Sequence, residues 1–334
     1  MTIRIGINGF GRIGRAVLRM AYQQYPNQDF EIVHINDLSS PEVLAHLLKY
    51  DSVHGVLDRN VCIQDSSLNV NGHKISLSTI KNPAEIPWRE KKVDIVLECT
   101  GFFRKREDCL LHIKAGAPKV LISAPGVDED ITVVYGVNHH NLTTNHQIVS
   151  NGSCTTNCLA LPTKVLHDNF KIVSGLVSTV HSYTNDQNIL DVPHSDFRRA
   201  RAAAINMIPT TTGAAKAIGL VLPELAGKID GLAIRVPTAN VSLVDATFEL
   251  TKNVSVQEVN LALQKAAQGP MKGIMSCTNE ELVSQDFNGN THSSIVDLPM
   301  TKVINDRQVK VLSWYDNEIG FSSRMLDITK LMCL

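Results

Sequence analysis

The segment Ile3–Asp37 constrains the fold more than any other part of the sequence. Apolar residues alternate along Ile3–Ile7, as in a short strand, and G-F-G-R-I-G follows at Gly9–Gly14. Apolar residues at helical spacing come next. A second strand, Ile32–Ile35, precedes Asp37, which lies 23 positions after Gly14. A Gly-x-Gly-x-x-Gly run between strand and helix, with an acid after the next strand, predicts a dinucleotide-binding βαβ unit.

Each conspicuous residue of this unit has a physical task. Gly9 permits the tight turn, Gly11 lets a pyrophosphate approach the backbone, and Gly14 lets the helix pack closely on the strand. The helix N-terminus then faces the phosphates. Asp37 accepts hydrogen bonds from the adenosine ribose and repels a 2′-phosphate, so the sequence predicts NAD as cofactor and not NADP.

The second half carries one cysteine in a reactive setting. Cys154 follows Ser153, a predicted helix N-cap, and the apolar residues beyond it recur at helical spacing. A helix N-terminus favours thiolate over thiol, and the thiolate is the nucleophile. The predicted strand Leu176–Val180 delivers His181 to its end, where an imidazole is placed to act as the base for Cys154.

Composition narrows the class of protein. A chain of 334 residues is long enough for two domains, and its net charge of −1 argues against nucleic acid or an anionic membrane as partner. The seven cysteines follow no framework pattern and the start is not apolar, so we expect free thiols and a cytoplasmic protein. Cys154 and Cys158 have the wrong spacing for a zinc pair, and we expect no metal.

Further strands complete the predicted fold class, an α/β chain. We expect a Rossmann-type doubly wound parallel sheet in residues 1–152, completed by a C-terminal helix at 318–334. Residues 153–317 should form an α+β catalytic domain with a mostly antiparallel sheet. The strands behind this prediction are Val93–Cys99, Val120–Ser123, Ile148–Ser150, Leu176–Val180, Val241–Thr251 and Gln308–Trp314.

Hydroxyl clusters and isolated arginines in the second half suggest phosphate recognition. They occur at Asp196–Arg201, Pro209–Lys216 and Arg235–Thr238. Arginine offers a fixed fork of donors that suits phosphate, although for any single arginine a solvated, salt-bridged loop is an equal alternative.

Six motifs together resemble the phosphorylating glyceraldehyde-3-phosphate dehydrogenase family, from Ile5 to about Asp327. They are I-N-G-F-G-R-I-G-R, S-C-T-T-N-C, H-S-Y-T-N-D-Q, T-T-T-G-A-A-K, R-V-P-T and S-W-Y-D-N-E-I-G. The resemblance implies oxidation of D-glyceraldehyde 3-phosphate to 1,3-bisphosphoglycerate with NAD and inorganic phosphate, through a cysteine hemithioacetal and thioester. It also implies a homotetramer, in which residues 185–201 reach a neighbouring subunit's NAD site.

The resemblance also assigns site residues. Cys154 matches the nucleophile and His181 its partner base. Residues matching NAD contacts are Gly9, Gly11, Arg12, Ile13, Gly14, Asp37, Lys81, Ser123 and Asn317. Thr184 and Arg235 match the pocket for the substrate's phosphate, and Arg199 an anion-binding arginine between two pockets. Residues matching the inorganic phosphate pocket are Ser153, Thr155, Thr212 and Gly213.

Departures and alternatives remain. Gly152 replaces a common alanine and Lys81 a common arginine, and neither change removes a group that the reaction needs. Erythrose-4-phosphate dehydrogenase, a relative with the same Cys and His, is the nearest alternative. A thiol hydrolase has no need of the glycine run or Asp37, and a non-catalytic NAD-binding protein has no need of both reactive groups.

Overall fold

The computed structural model describes residues 2–24 and 29–334, and the chain folds into two compact units. Unit 1 is discontinuous and consists of Met1–Val133, His139–Gly152 and Ser322–Leu334. Unit 2 consists of Val134–Asn138 and Ser153–Phe321.

Unit 1 is built on a nine-stranded sheet and one small hairpin. Its strands are β1 (Ile3–Asn8), β2 (Phe30–Asn36), β3 (Tyr50–Asp51), β4 (Gly55–Val56), β5 (Val61–Gln64), β6 (Ser67–Val70), β7 (His73–Ser78), β8 (Ile95–Glu98), β9 (Val120–Ile122), β10 (Ile131–Thr132) and β11 (Ile148–Ser150). The sheet order is β10-β11-β9-β8-β1-β2-β7-β6-β5, and β3 pairs with β4 in the hairpin.

All neighbours from β10 to β7 are parallel, and only the edge pairs β7-β6 and β6-β5 are antiparallel. Every residue of β8, β9 and β11 is buried, as expected for strands covered on both faces. The expected Rossmann-type parallel sheet is confirmed. The carboxyl ends of β1, β2 and β8 therefore meet at one edge, where such sheets bind their ligands.

Among the described residues of unit 1, three α-helices lie wholly within the unit: α1 (Arg12–Gln24), α2 (Pro41–Lys49) and α3 (Arg106–Lys114). α1 begins inside the glycine run, as predicted. Ser40 caps α2 through its side chain, and Pro41 occupies the first turn, where a missing N–H has no cost. An apolar cluster that includes Trp88, Val96 and Ile122 forms part of the unit's core.

Unit 2 contains an eight-stranded mixed sheet. Its strands are β12 (Ile172–Ser182), β13 (Ile208–Thr211), β14 (Ile229–Val236), β15 (Ser242–Leu250), β16 (Met275–Thr278), β17 (Ser294–Asp297), β18 (Lys302–Ile304) and β19 (Gln308–Tyr315). The order is β13-β14-β12-β15-β19-β17-β16, with β18 also on β19. Only β12-β14 and β16-β17 are parallel, so the sheet is mostly antiparallel, as expected.

The helices of unit 2 are α4 (Cys154–Phe170), α5 (Ala214–Val221) and α6 (Val256–Gln268), and α7 (Ile319–Cys333) continues into unit 1. Most residues of α4 are buried, and the helix shares an apolar core with the sheet and with α5 and α6. A capping box begins α6: the Ser255 side chain accepts from the Glu258 N–H, and the Glu258 side chain accepts from the Ser255 N–H.

Several sequence-based boundaries need correction. The strand predicted at Leu176–Val180 extends over Ile172–Ser182, because it pairs with β14 as far as Ser182 and Val236. His181 thus lies inside the strand and not after its end. The strand predicted at Val93–Cys99 is shorter, at Ile95–Glu98.

Candidate active site

Cys154 is the first residue of α4. Ser153 is the N-cap, and its Oγ accepts a hydrogen bond from the Thr156 N–H at 3.0 Å. This confirms the N-cap that the sequence predicted. The preceding Gly152 has a φ of 63°, a backbone conformation that glycine adopts without strain. Glycine at this departure from the family pattern thus suits the turn that leads into the helix.

The structure brings His181 to Cys154. The two atoms Cys154 Sγ and His181 Nε2 are 3.5 Å apart, and His181 is 5% exposed. The contact joins the first residue of α4 to a residue inside β12, whereas the sequence placed His181 just after the end of that strand. Such a thiol–imidazole pair is the arrangement in which a base activates a nucleophile.

Arg235 completes this centre from the neighbouring strand. β12 and β14 run parallel with His181 opposite Arg235, so the two side chains are neighbours in the sheet. Arg235 Nη1 lies 2.8 Å from His181 Nδ1 and donates to the Ser182 carbonyl at 3.0 Å.

His181 Nδ1 cannot form hydrogen bonds with the Ser182 carbonyl and with Arg235 at the same time. This nitrogen is also 2.7 Å from the Ser182 carbonyl, to which it can only donate, whereas it can only accept from Arg235. When Nδ1 accepts from Arg235, the proton lies on Nε2 and faces Cys154. When Nδ1 donates to Ser182, Nε2 is free to take the thiol proton. The geometry therefore accommodates both directions of proton movement.

The electrostatics correct one expectation. Burial raises the pKa of the Cys154 thiol, and the nearby Arg235 charge and hydrogen bonds involving Thr155 oppose the rise. Cys154 keeps some exposed surface but is densely surrounded by protein atoms. The expectation that the helix N-terminus alone lowers the pKa is wrong for the chain without substrate, because it left out desolvation.

Cys158 provides the comparison on the same helix. Burial raises the pKa of its thiol far above the ordinary value, and the group that opposes this shift is the Ser294 hydroxyl and not a cation. At His181, burial and the Arg235 charge lower the pKa to about 3, so its imidazole is neutral and able to accept a proton.

Tyr315 was missed as a site residue by the sequence analysis. Its hydroxyl lies 2.8 Å from Thr155 Oγ1 and 2.9 Å from Thr179 Oγ1, and its ring meets the His181 ring edge-on at 6.0 Å. Tyr315 is 1% exposed. Its place in S-W-Y-D-N-E, at the end of a predicted strand, was the available signal.

Asn317 is held in place next to this centre. Ser242 Oγ donates to Asn317 Oδ1 at 2.9 Å and accepts from the Ser182 N–H at 3.1 Å. Asp316 accepts from the Glu318 and Ile319 N–H groups where α7 begins. The Asn317 amide nitrogen is thereby given a fixed direction.

The predicted anion-binding residues form a second cluster. Arg199 binds Asp186 at 2.8 Å, Thr210 Oγ1 at 2.8 Å and the Thr211 carbonyl at 3.2 Å. Burial lowers the pKa of Arg235, and Arg199 adds a smaller lowering, which places the two cations within electrostatic reach.

The remaining members of the predicted phosphate pockets lie on loops and helix beginnings. The Thr184 N–H donates to Gln187 Oε1 at 3.0 Å. Thr212 Oγ1 accepts from the Ala214 N–H at 3.2 Å, and Gly213 is the N-cap of α5. A Cβ on Gly213 would meet nothing within 4 Å, so its backbone is open to an approaching anion.

The glycine run of unit 1 has the geometry of a dinucleotide cradle. Gly9 has a φ of 89°, and a Cβ there would lie 2.7 Å from the Thr100 nitrogen. A Cβ on Gly14 would lie 2.4 Å from the Gly9 oxygen, whereas Gly11 has nothing within 4 Å. Gly9 and Gly14 serve the turn and the packing, and Gly11 leaves its backbone open.

A cavity of about 340 Å³ lies beside this run. Asp37 lines it, with its Oδ2 accepting from the Phe10 N–H at 2.7 Å and its Oδ1 from the Ser39 N–H at 2.9 Å. Lys81 lines it as well. An open glycine backbone, a helix N-terminus and an oriented carboxylate on one cavity fit NAD.

Of the other predicted NAD contacts, Arg12 begins α1, and Ser123 follows β9, where its N–H donates to the Glu98 carbonyl at 3.0 Å. Ile13 is in the first turn of α1. Arg12 Nη1 is 2.7 Å from Asp51 Oδ2. Burial raises the pKa of Asp51, but hydrogen bonds from the His54 and Val53 N–H groups and the Arg12 charge outweigh it and lower the pKa to about 2.

Residues 2–24 and 29–334 contain no group of three or more His, Cys, Asp or Glu side chains placed to hold a metal ion. Over the same residues, every helix is too short or too polar to cross a bilayer.

Comparisons with known proteins identify the family of the chain. The model of the glyceraldehyde 3-phosphate dehydrogenase NAD binding domain matches residues 3–106, and that of the C-terminal domain matches residues 153–317. The glyceraldehyde-3-phosphate dehydrogenase of Priestia megaterium is 57% identical over 331 residues, which are 99% of this chain and 98% of the relative.

Two further relatives carry the same name. The enzyme of Geobacillus stearothermophilus is 57% identical over 98% of this chain and 97% of its own, and that of Pseudomonas aeruginosa 56% over the same shares. With both domains matched and identity above half across nearly the whole length, the chain belongs to the glyceraldehyde-3-phosphate dehydrogenase family.

Proposed function

We propose that the chain oxidises D-glyceraldehyde 3-phosphate with NAD and inorganic phosphate to 1,3-bisphosphoglycerate. The observation that carries this proposal is the Cys154–His181 contact of 3.5 Å with Arg235 bonded to the same imidazole. A glycine cradle with Asp37 on its cavity supports the choice of cofactor.

Cys154 is the nucleophile in this proposal. Its sulfur attacks the aldehyde carbon while the thiol proton moves to His181 Nε2, which is unprotonated when Nδ1 donates to Ser182. The Cys154 N–H at the start of α4 and the imidazolium meet the oxyanion that forms. Return of the proton to this oxygen gives the hemithioacetal.

His181 then serves as a base. It takes the hydroxyl proton of the hemithioacetal, while NAD, when bound, supplies the acceptor for the hydride that leaves the same carbon. The product on Cys154 is a thioester. Inorganic phosphate attacks this thioester, the acyl–sulfur bond breaks, and Cys154 leaves as a thiolate.

Anion recognition is assigned to the cluster around Arg235. Thr184 and Arg235 bind the phosphate of the substrate, and Arg199 lies between the two anion pockets. This assignment is supported by the effect of the Arg199 charge, which contributes to the lowered pKa of Arg235. The residues proposed for inorganic phosphate are Ser153, Thr155, Thr212 and Gly213.

Cofactor contacts are assigned to the cradle and to one residue of unit 2. In the cradle they are Gly9, Gly11, Arg12, Ile13, Gly14, Asp37, Lys81 and Ser123. Asn317 holds the carboxamide of the nicotinamide, a role supported by the fixed direction of its amide. The corresponding domains are 1–152 with helix 318–334 for NAD, and 153–317 for catalysis.

The chain acts as a cytoplasmic homotetramer in this proposal. Ile189 and Phe197, in the loop expected to reach a neighbouring subunit, are 83% and 89% exposed, and such apolar side chains favour burial in an interface. The seven free cysteines suit a reducing compartment.

One assay tests the reaction. NADH formation is measured with glyceraldehyde 3-phosphate and with erythrose 4-phosphate, each with and without inorganic phosphate. We expect turnover with glyceraldehyde 3-phosphate that depends on phosphate. Faster turnover of erythrose 4-phosphate, or turnover independent of phosphate, contradicts the proposal.

A further inference from the structure

Glu98 is a buried acid for which the proposed reaction has no role. It ends β8 and is 1% exposed. Its Oε2 accepts from Asn8 Nδ2 at 2.6 Å and lies 3.0 Å from His112 Nε2. Its Oε1 accepts from the Thr100 N–H at 2.8 Å and from the Thr100 hydroxyl.

The proton of His112 can be placed from its other neighbour. Trp88 Nε1 is 3.0 Å from His112 Nδ1. An indole N–H only donates, so Nδ1 accepts and the ring proton lies on Nε2, facing Glu98. The Glu98 carboxylate therefore accepts hydrogen bonds from four donors: the Asn8 amide, His112 Nε2, and the N–H and hydroxyl groups of Thr100.

On one side, Glu98 sets the direction of two amides. Because Asn8 gives its NH₂ group to Glu98, its Oδ1 faces Asn36 and accepts from Asn36 Nδ2 at 2.8 Å. Asn36 in turn donates to the Ile80 carbonyl at 2.9 Å and accepts from the Ile80 N–H at 2.9 Å. Asn8, Asn36 and Ile80 all line the cavity beside the glycine run.

On the other side, Glu98 fixes the turn after β8. The Thr100 hydroxyl donates to Glu98, so its oxygen is free to accept from the Phe102 N–H at 3.1 Å. Thr100 and Phe102 line the same cavity. One carboxylate thus fixes two walls of the cavity without lining it.

We propose that Glu98 is a positioning residue for the cofactor: its acceptor-only carboxylate fixes the hydrogen-bond directions of both walls before NAD binds. The inference rests on the proposed function only in taking this cavity as part of the NAD site. A preformed cavity binds its ligand without first ordering its walls, which favours affinity.

Glu98→Gln tests the proposal with almost no change in shape. An amide in this place turns its N–H groups either towards Asn8 and His112 or towards the Thr100 N–H, and all three of these groups donate. Relief by rotating the Asn8 amide transfers the conflict to Asn36 and from there to Ile80. The substitution therefore disturbs the cavity wall and not only the buried centre.

The measurements are the dissociation constant for NAD by titration, the melting temperature, and kcat at saturating NAD. We expect Glu98→Gln to raise the dissociation constant by about tenfold, the effect of one mismatched buried hydrogen bond, and to leave kcat within about twofold. Ile95→Ala is the matched control, since Ile95 is a fully buried residue of β8 that pairs with Ile5. It should lower the melting temperature and leave NAD binding unchanged.

Asn8→Asp provides a rescue. Alone it sets a second carboxylate against Glu98 and should weaken NAD binding. Combined with Glu98→Gln it provides an acceptor both for the amide introduced at position 98 and for Asn36. The double variant should therefore bind NAD more tightly than either single variant. Additive losses, or an unchanged dissociation constant in Glu98→Gln, overturn the proposal.

A pair of milder variants covers the case in which the buried substitutions do not fold. Thr100→Val removes the hydroxyl and should weaken NAD binding severalfold, whereas Thr100→Ser keeps it and should bind as the wild type. Equal binding by the two overturns the proposal. NAD titration needs no turnover, so failure of the proposed reaction in the wild type is seen separately from failure of this inference.

Discussion

The two sites of the molecule are built in opposite ways. The cradle of unit 1 depends on glycines, which have no side chain. A Cβ on Gly14 would collide with the Gly9 oxygen. The centre of unit 2 depends on side chains that are present. Cys154 contacts His181, and His181 in turn contacts Arg235. Deleting a side chain should therefore break the centre, and adding one should break the cradle.

Cys154→Ser should have the largest effect. A hydroxyl in this place is a far weaker nucleophile than a thiol and leaves no thioester, so kcat for NADH formation should fall by at least about a thousandfold. The dissociation constant for NAD should stay unchanged. Cys158→Ala is the control on the same helix and should keep kcat within about twofold. Near-normal turnover by Cys154→Ser would show that Cys154 is not the nucleophile.

His181→Asn should rank second. Loss of a positioned base costs on the order of a hundredfold in kcat. It also removes the Nε2 proton that stabilises a thiolate, so the pKa of Cys154, already raised by burial, should rise further. Alkylation by iodoacetamide across a pH series measures this shift, and an unmoved profile argues against proton exchange between the two groups.

The same variant has a consequence for acid stability. The pKa of His181 falls from 6.5 to about 3 on folding, so between these values the unfolded chain binds more protons than the folded one. This residue therefore makes the fold less stable as the pH falls through that window. His181→Asn should lose less free energy of unfolding than the wild type between about pH 7 and about pH 4. Identical losses contradict the lowered pKa.

The cradle was predictable because it is local in sequence. The glycine run, the helix after it and Asp37 lie within the first βαβ unit, so spacing alone specifies their geometry. The N-cap at Ser153 was predictable for the same reason. The centre of unit 2 was only partly predictable from the sequence, because Arg235 reaches His181 through the parallel pairing of β12 and β14.

Long-range pairing explains the other gaps. Tyr315 meets Thr155 across 160 positions, and periodicity does not specify which strands become neighbours. The sequence analysis predicted no strand in residues 50–92, because the five strands there are short and several lie at the exposed edge. The raised pKa of Cys154 was missed for the same reason, since burial of its thiol depends on the packing of residues that are distant in sequence.

Gly14→Ala tests the cradle by addition. Its Cβ would lie 2.4 Å from the Gly9 oxygen, a backbone atom that does not yield easily, so the free energy of unfolding should fall by about 1–3 kcal/mol. Gly11→Ala is the matched control, because its Cβ meets nothing within 4 Å. It should keep the melting temperature of the free chain and weaken only NAD binding. Equal melting temperatures for the two variants contradict the packing role of Gly14.

Asp37→Asn should have the smallest effect on turnover, because it keeps the shape of the cradle while replacing one acceptor oxygen and removing the charge. The amide oxygen can accept from only one of the two N–H groups that Asp37 binds, those of Phe10 and Ser39, so the free energy of unfolding should fall by about 1 kcal/mol. Without the carboxylate, the repulsion of a 2′-phosphate disappears and the ribose loses a charged acceptor. The ratio of kcat/KM for NAD to that for NADP should therefore fall by about tenfold, the value of one charge-assisted hydrogen bond. Ser39→Ala, which keeps the backbone N–H that binds Asp37 Oδ1, serves as the control and should preserve the ratio. An unchanged ratio in Asp37→Asn would show that the choice between NAD and NADP is made by other residues.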